Sequence, residues 1–217
     1  MPSLSEENYL KVIFRLSQES DAKITPTTIS GMLDNNPASV IDMLKKLREK
    51  KQINYDKVKG AQLTEKGTKV AVDIVRKHRL WEVFLLEKLN YNWDEIHDMA
   101  EQLEHVHHKD LADRLDKFLG FPDFDPHGDP IPKANGQIAN MYRTMLCQIE
   151  VGKACQVAAV KDTSAEFLQY LQKLGIGIGT RLKVIEKISF DNSMTIQIGK
   201  EPKTTVSKKF AENVLVG

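Results

Sequence analysis

Apolar side chains recur at helical spacing from the start of the chain. Tyr9, Leu10, Ile13, Phe14 and Leu16 share one face, so residues 6–18 are predicted to form an amphipathic helix. A polar loop follows. Thr25, Pro26 and Thr27 supply cap-like residues for a short helix over 29–33, which stops at Asp34, Asn35 and Asn36. Pro37 opens a third helix reaching about residue 50, with Val40, Leu44 and Leu47 on one side and Ser39, Asp42, Lys45, Lys46 and Arg48 over the rest. A short helix, a tight turn and a basic helix make a helix-turn-helix pattern. Residues 53–55 and 61–63 then read as two short strands around a polar, basic tip at 56–60, the pattern of a wing.

Farther on, Val70, Val72, Ile74, Val75, Leu80, Val83, Phe84, Leu86 and Leu89 fit one long helix over 69–89. Asp94 is a plausible N-cap for a helix through about Val106, and Leu111, Leu115, Phe118 and Leu119 mark another ending near Gly120. One-sided helices in so short a segment point to a dimer interface. Four of the eight prolines fall in PDFDPHGDPIP, residues 122–132, which must be an extended, turn-rich connection. After a helix expected around 138–146, the texture changes to β-prone runs at 156–157, 182–185, 194–198 and 214–216, broken by Gly175, Gly177 and Gly179. A small β-barrel with one helix over 165–174 follows. The predicted fold is therefore mainly α with a small β domain: a winged helix-turn-helix DNA-binding domain over 1–72, a helical dimerisation and metal-binding domain with the proline-rich linker over 73–142, and the β domain over 143–217.

Overall composition, 41% hydrophobic and 28% charged in 217 residues, is that of an ordinary globular protein. No apolar run approaches the roughly 18 residues of a membrane span, and the N-terminus lacks the basic-then-apolar build of a signal peptide. The expected compartment is the cytoplasm, with no membrane partner. Cys147 and Cys155 make neither a disulfide framework nor a CxxC motif and read as reduced packing residues. Net charge is only +1, but it divides sharply: residues 45–79 hold 12 Lys/Arg against 4 Asp/Glu, and residues 80–130 hold 4 against 13. The first segment seeks anions and the second seeks cations.

All six histidines lie between His78 and His127. His78 and Glu82 are four apart on the long helix and share a face. On the next helix His97, Glu101 and His105 continue a stripe at i, i+4 and i+8 with Glu104 beside it. A rise of about 1.5 Å per residue separates His97 and His105 by roughly 12 Å, too far to share one ion at bonds of about 2.1 Å. Two metal sites follow, one drawing on Glu101, Glu104 and His105 and the other on His78, Glu82 and His97. His107, His108 and His127 have no registered partners and read as surface residues. Nitrogen and oxygen donors without thiolate suit Mn²⁺ or Fe²⁺, and Zn²⁺ or Co²⁺ also bind such sets.

In a winged helix the second helix of the motif enters the major groove and the wing meets phosphates. Asn36, Ser39 and Asp42 stand near the start of that helix as groove readers, Ala38 offers apolar contact to a thymine methyl, and Lys45, Lys46, Lys57 and Lys59 supply phosphate attraction. Two-metal clusters also serve hydrolases. HExxH, GxSxG and Walker-type loops are absent, however, and hydrolysis would leave the basic reader unexplained. The reading is a regulator and not an enzyme. A metal-dependent hydrolase with a DNA-binding domain, and a regulator answering to an organic ligand, stay open beside it.

The combination of EENYLKVIF, the winged helix, KHRLWEVFL, HDMAEQLEH, PHGDPIP and a terminal β domain resembles the diphtheria toxin repressor and manganese transport regulator family over essentially the whole chain. That resemblance implies a homodimer that binds a palindromic operator in double-stranded DNA when Mn²⁺ or Fe²⁺ is present and represses metal-uptake genes. It implies a primary site at Glu101, Glu104 and His105, with Asn8 from the first helix, and an ancillary site at His78, Glu82 and His97. The terminal domain resembles the SH3-like domain of longer members, which contributes a ligand for which Glu166 is the first candidate and Asp162 the second. Two departures stand out. Asn8 replaces the Asp of manganese sensors or the Met of iron sensors, and Lys11 replaces a Glu that manganese sensors use. Glu101 stands where iron sensors often have Cys, which leans toward Mn²⁺.

Overall fold

The computed structural model describes residues 2–19, 22–56, 58–139 and 142–217. It divides into two compact units, the first built from Met1–His78, Glu101–Arg114 and Pro132–Gln137, the second from Arg79–Ala100, Leu115–Ile131 and Ile138–Gly217.

In the first unit, α1 (Leu4–Glu19), α2 (Pro26–Leu33) and α3 (Pro37–Glu49) precede the antiparallel pair β1 (Ile53–Asp56) and β2 (Gly60–Leu63). The cap at Thr25 is the one that the sequence advertises, and Asn36 adds a second. Thr25 Oγ1 accepts from the Thr28 amide at 3.1 Å, Asn36 Oδ1 accepts from the Ala38 amide at 2.8 Å, and Pro26 and Pro37 open α2 and α3. Leu10, Ile13, Ile29, Val40, Leu44, Leu47 and Ile53 are buried as the common core. Gly60, at φ +80°, closes the wing: a Cβ there would lie 2.5 Å from the Ile24 carbonyl oxygen, to which Ala61 N–H donates. Helix α4 (Glu65–Leu89) gives its first part to this unit and the rest to the second.

In the second unit, the strands form one six-stranded antiparallel sheet in the order β3-β8-β4-β5-β6-β7: β3 (Thr144–Met145), β4 (Ala154–Val160), β5 (Arg181–Lys187), β6 (Met194–Ile198), β7 (Thr204–Val206) and β8 (Val214–Val216). Helix α7 (Ala165–Lys173) packs Phe167 and Tyr170 edge-on against Phe210 of α8 (Lys208–Asn213). Val157, Leu168, Leu171, Val184, Ile196 and Val216 are buried with it.

Two expected helices change. The described residues of 138–146 hold no α-helix: Thr144 and Met145 pair with Val216 and Leu215, and a 3₁₀ turn at Leu146–Gln148 follows. A free sheet edge beside β8 outweighs a weak helical pattern there. Helix α5 (Ile96–Leu103) ends before Val106, whose amide closes a turn onto the Leu103 carbonyl at 3.1 Å, so Glu104 and His105 stand beyond the helix. α6 (Leu111–Phe118) completes the elements, and no helix among the described residues is long and apolar enough to cross a membrane.

Candidate metal centres and nucleic-acid interface

In the first unit, one turn of α1 faces the segment that ends α5. Glu7, 2% exposed, accepts from His105 Nδ1 at 2.7 Å and meets His107 Nε2 at 3.2 Å. Next to it Asn8 buries its Oδ1 without a hydrogen-bond partner. Lys11, one turn on, sends its ammonium to Glu101 Oε1 at 2.5 Å and to Glu104 at 2.6 and 2.9 Å, with His78 Nδ1 at 3.4 Å. His78 Nδ1 also meets Glu104 Oε2 at 2.6 Å, and Glu104 Oε1 lies 3.6 Å from His105 Nε2. The fully buried Glu104 carboxylate therefore joins the two sides of one cluster. Within this unit His78, which the sequence pattern groups with Glu82 and His97, meets Glu104. Glu7 was absent from the expected set; its only signal is an acidic residue one turn before the apolar face of α1.

Back on α1, Glu6 is fully buried and receives Lys50 at 2.7 Å and Lys46 at 2.9 Å. Burial alone would raise its pKa, but hydrogen bonds from Lys50 and Lys46 hold it down to about 2. Three neighbouring side chains thus serve two ends of the unit, Glu6 toward α3, and Glu7 and Asn8 toward the histidine-bearing turn.

In the second unit, the proline-rich linker is a tightly built presenting loop. Asp125 Oδ1 accepts the His127 and Asp129 amides, both at 2.9 Å, and Asp125 N–H donates to the Asp129 carbonyl. Gly128 takes φ +90°, and a Cβ there would stand 2.1 Å from the Ala158 carbonyl oxygen of β4. Arg143 donates to the Gly128 carbonyl, and Val160 N–H to the His127 carbonyl at 3.0 Å. The loop brings together Glu82, Asp125 and His127, with donor atoms within 4.8 Å of one another and every residue buried. Opposite donors on one ion at bonds of about 2.1 Å span roughly 4.2 Å, so the group is close to a metal cage.

Its electrostatics also call for a cation. Burial, together with the Glu82 and Asp129 carboxylates, pushes the Asp125 pKa up to about 7 despite Arg79 and His127. Glu82 meets His127 Nδ1 at 3.4 Å and His97 Nδ1 at 3.1 Å. Burial opposes charge on His127, yet Glu82 outweighs it and the imidazole pKa lies above its ordinary value. His127 Nε2 is buried with no partner, and Trp93 stacks on the ring at 5.8 Å. These residues fit a divalent ion.

His127 is 3% exposed, which corrects its expected surface position, and Asp125 is new to the set. The sequence signal was DPHGD itself, an Asx-turn sequence that holds a carboxylate and an imidazole two residues apart. Asp162 lies two residues past Val160, with its Oδ1 taken by the Ser164 amide, while Glu166 is exposed on the first turn of α7. His107 and His108 are exposed.

On the reader, Ala38, Ser39, Asp42, Lys45 and Lys46 are exposed on α3. Asp42 pairs with Lys45 at 2.9 Å, and Asn36 is committed to its cap. Lys59 is exposed beside the Asp56 turn at the wing tip, and Lys57 lies outside the described residues.

Comparisons with known proteins agree along the chain. Residues 2–61 match the iron dependent repressor N-terminal DNA binding domain, 64–133 the iron dependent repressor metal binding and dimerisation domain, and 144–217 the FeoA domain. The HTH-type transcriptional regulator MntR of Oceanobacillus iheyensis is 34% identical over 121 residues, 56% of this chain and 81% of that protein. The iron-dependent repressor IdeR of Mycobacterium bovis is 34% identical over 128 residues, 58% of this chain, and the match spans about half of that protein, 54%. A solved manganese-dependent transcriptional repressor in complex with manganese superposes with a TM-score of 0.89 at 32% identity, covering 97% of this chain and 98% of that one.

Proposed function

The chain belongs to the iron-dependent repressor family, which includes the diphtheria toxin repressor and the manganese regulators, and on that premise we propose that it is a homodimeric, metal-dependent repressor of metal-homeostasis genes. The observation that carries this reading is the buried Glu82–Asp125–His127 group, whose unpartnered His127 nitrogen and protonation-prone Asp125 both favour a bound cation. Glu82, Asp125 and His127 hold one ion, with His97 against Glu82. Asp162 is favoured over Glu166 as the further carboxylate, because the β4 backbone that precedes it is bonded to His127. Asn8, Glu104 and His105 hold another. Oxygen and nitrogen donors suit Mn²⁺ and Fe²⁺.

A divalent ion supplies fixed positive charge shared by donors from different elements. In the first unit Asn8 and Glu104 tie α1 to the turn after α5. α1 in turn holds Glu6 against Lys46 and Lys50, which orients α3. Ala38, Ser39 and Asp42 then face base edges, and Lys45 and Lys59 face phosphates. The apolar Leu89, Phe118 and Phe121, exposed in the second unit, mark the surface that a second copy covers. A two-fold dimer of such readers requires a palindromic operator with half-sites about one helical turn apart. The proposed division is a DNA reader over 1–72, a helical domain over 73–142 and the β domain over 143–217. Metal must favour the DNA-fitting arrangement over its alternative, or affinity would not change.

Fluorescence anisotropy with operator DNA and Mn²⁺, Fe²⁺ or Zn²⁺ in parallel tests the proposal. Metal is expected to tighten binding, and the most effective ion identifies the effector. Equal affinity with and without metal, unchanged in Glu104→Ala, would overturn it.

A further inference from the structure

The Lys11 ammonium occupies a position that in a metal-binding cluster belongs to an ion. It stands 2.5 Å from Glu101, 2.6 and 2.9 Å from the two oxygens of Glu104, and 3.4 Å from His78 Nδ1. Two carboxylates and an imidazole converging on one point are a divalent donor set. Here that point is already positive. Glu104 is fully buried and Lys11 mostly so, and an ionised carboxylate at such depth is stable only with a counter-charge. Lys11 supplies it from within the chain, on a helix that is itself part of the reader unit.

We propose that Lys11 is a resident cation that closes the Glu101–Glu104–His78 face of the first unit to metal. An ammonium and a divalent ion cannot share this space, because the like charges repel and both need the same oxygens. Metal in the first unit is thereby confined to the Asn8–His105 side of Glu104, and the unit takes one ion fewer than its donors would hold. Lys11 also keeps α1 tied to Glu101 and Glu104 in the metal-free protein. This inference rests on the metal-dependent reading above.

Native mass spectrometry of the full chain, equilibrated with Mn²⁺ throughout purification so that each variant folds with metal present, gives the test. Lys11→Met is expected to carry one Mn²⁺ more per chain than the wild type. Lys11→Arg, which keeps the charge, matches the wild type, and Lys11→Met combined with Glu101→Gln loses the additional ion. A second readout needs no counting. After chelation the melting temperature of Lys11→Met falls below that of the wild type, and Mn²⁺ raises it by more than it raises the wild type.

Equal ion counts for wild type and Lys11→Met would overturn the inference, as would an additional ion in Lys11→Arg or the loss of an ion from a Glu101→Gln single variant. Failure of the metal-dependent reading looks different, since no variant or wild type would then bind Mn²⁺ stably.

Discussion

The two units each bury carboxylates, yet they balance them in opposite ways. In the first, Glu6 is met by Lys46 and Lys50 and held to a pKa of about 2, and Glu104 is met by Lys11. In the second, Asp125 has the edge of Arg79 at 3.4 Å and His127 nearby, yet burial with the Glu82 and Asp129 carboxylates pushes it up to about 7. Donor type alone does not separate them, because both clusters combine carboxylates with imidazoles. The difference is whether the chain's own cations offset burial. Where lysines do so, the carboxylates tie α1 to its neighbours, and Glu104 offers an ion its His105 side. Where Arg79 does not, the deficit is a binding site.

The comparison breaks most visibly at the ligands of the second unit. Glu82→Gln and His127→Ala should each weaken Mn²⁺ binding by at least about 100-fold, since even residues behind metal ligands contribute 10–100-fold. Calorimetric titration measures it, and an affinity within threefold of wild type would remove this group from the metal account.

A smaller effect separates the two units by pH. Glu6 has a lowered folded pKa, so its stabilising contribution is complete above its ordinary value of 4.5 and is lost as pH falls toward 2. Asp125 has a raised one, so in metal-free protein its contribution is present below 3.8 and is lost as pH rises through about 7. Chemical denaturation across pH should show Glu6→Gln flattening the acid limb and Asp125→Asn flattening the slope approaching neutrality. At neutral pH Glu6→Gln should cost about 1–2 kcal/mol, discounted because both lysines are partly exposed.

How much of this was legible in the sequence depends on how local the signal is. Helix-turn-helix and wing were readable because caps, prolines and apolar spacing act within a few residues, as at Thr25 and Pro37. The stripe from His97 to His105 was not legible to its end, because α5 stops at Leu103 and turns His105 toward Glu7, a partner 98 residues away. Asp125 and His127 looked like linker residues, since nothing local announces that Gly128 seats their loop on β4. β3 and β7 have two and three residues, too few for a period to register.

The smallest effect sharpens the reader's side. Lys59→Ala should weaken binding about equally on all DNA sequences and lower the salt slope of binding by about one. A change in sequence preference instead would move Lys59 from phosphate to base contact.

The central claim is that the buried carboxylate–imidazole group of the second unit holds metal and the Lys11 face of the first does not. Anomalous diffraction at the manganese edge from crystals grown with Mn²⁺ tests it most directly. The account predicts a peak bounded by Glu82, Asp125 and His127, and no peak at the Lys11 ammonium position. A map without density at that triad, or with manganese between Glu101 and His78 in the wild type, would contradict it.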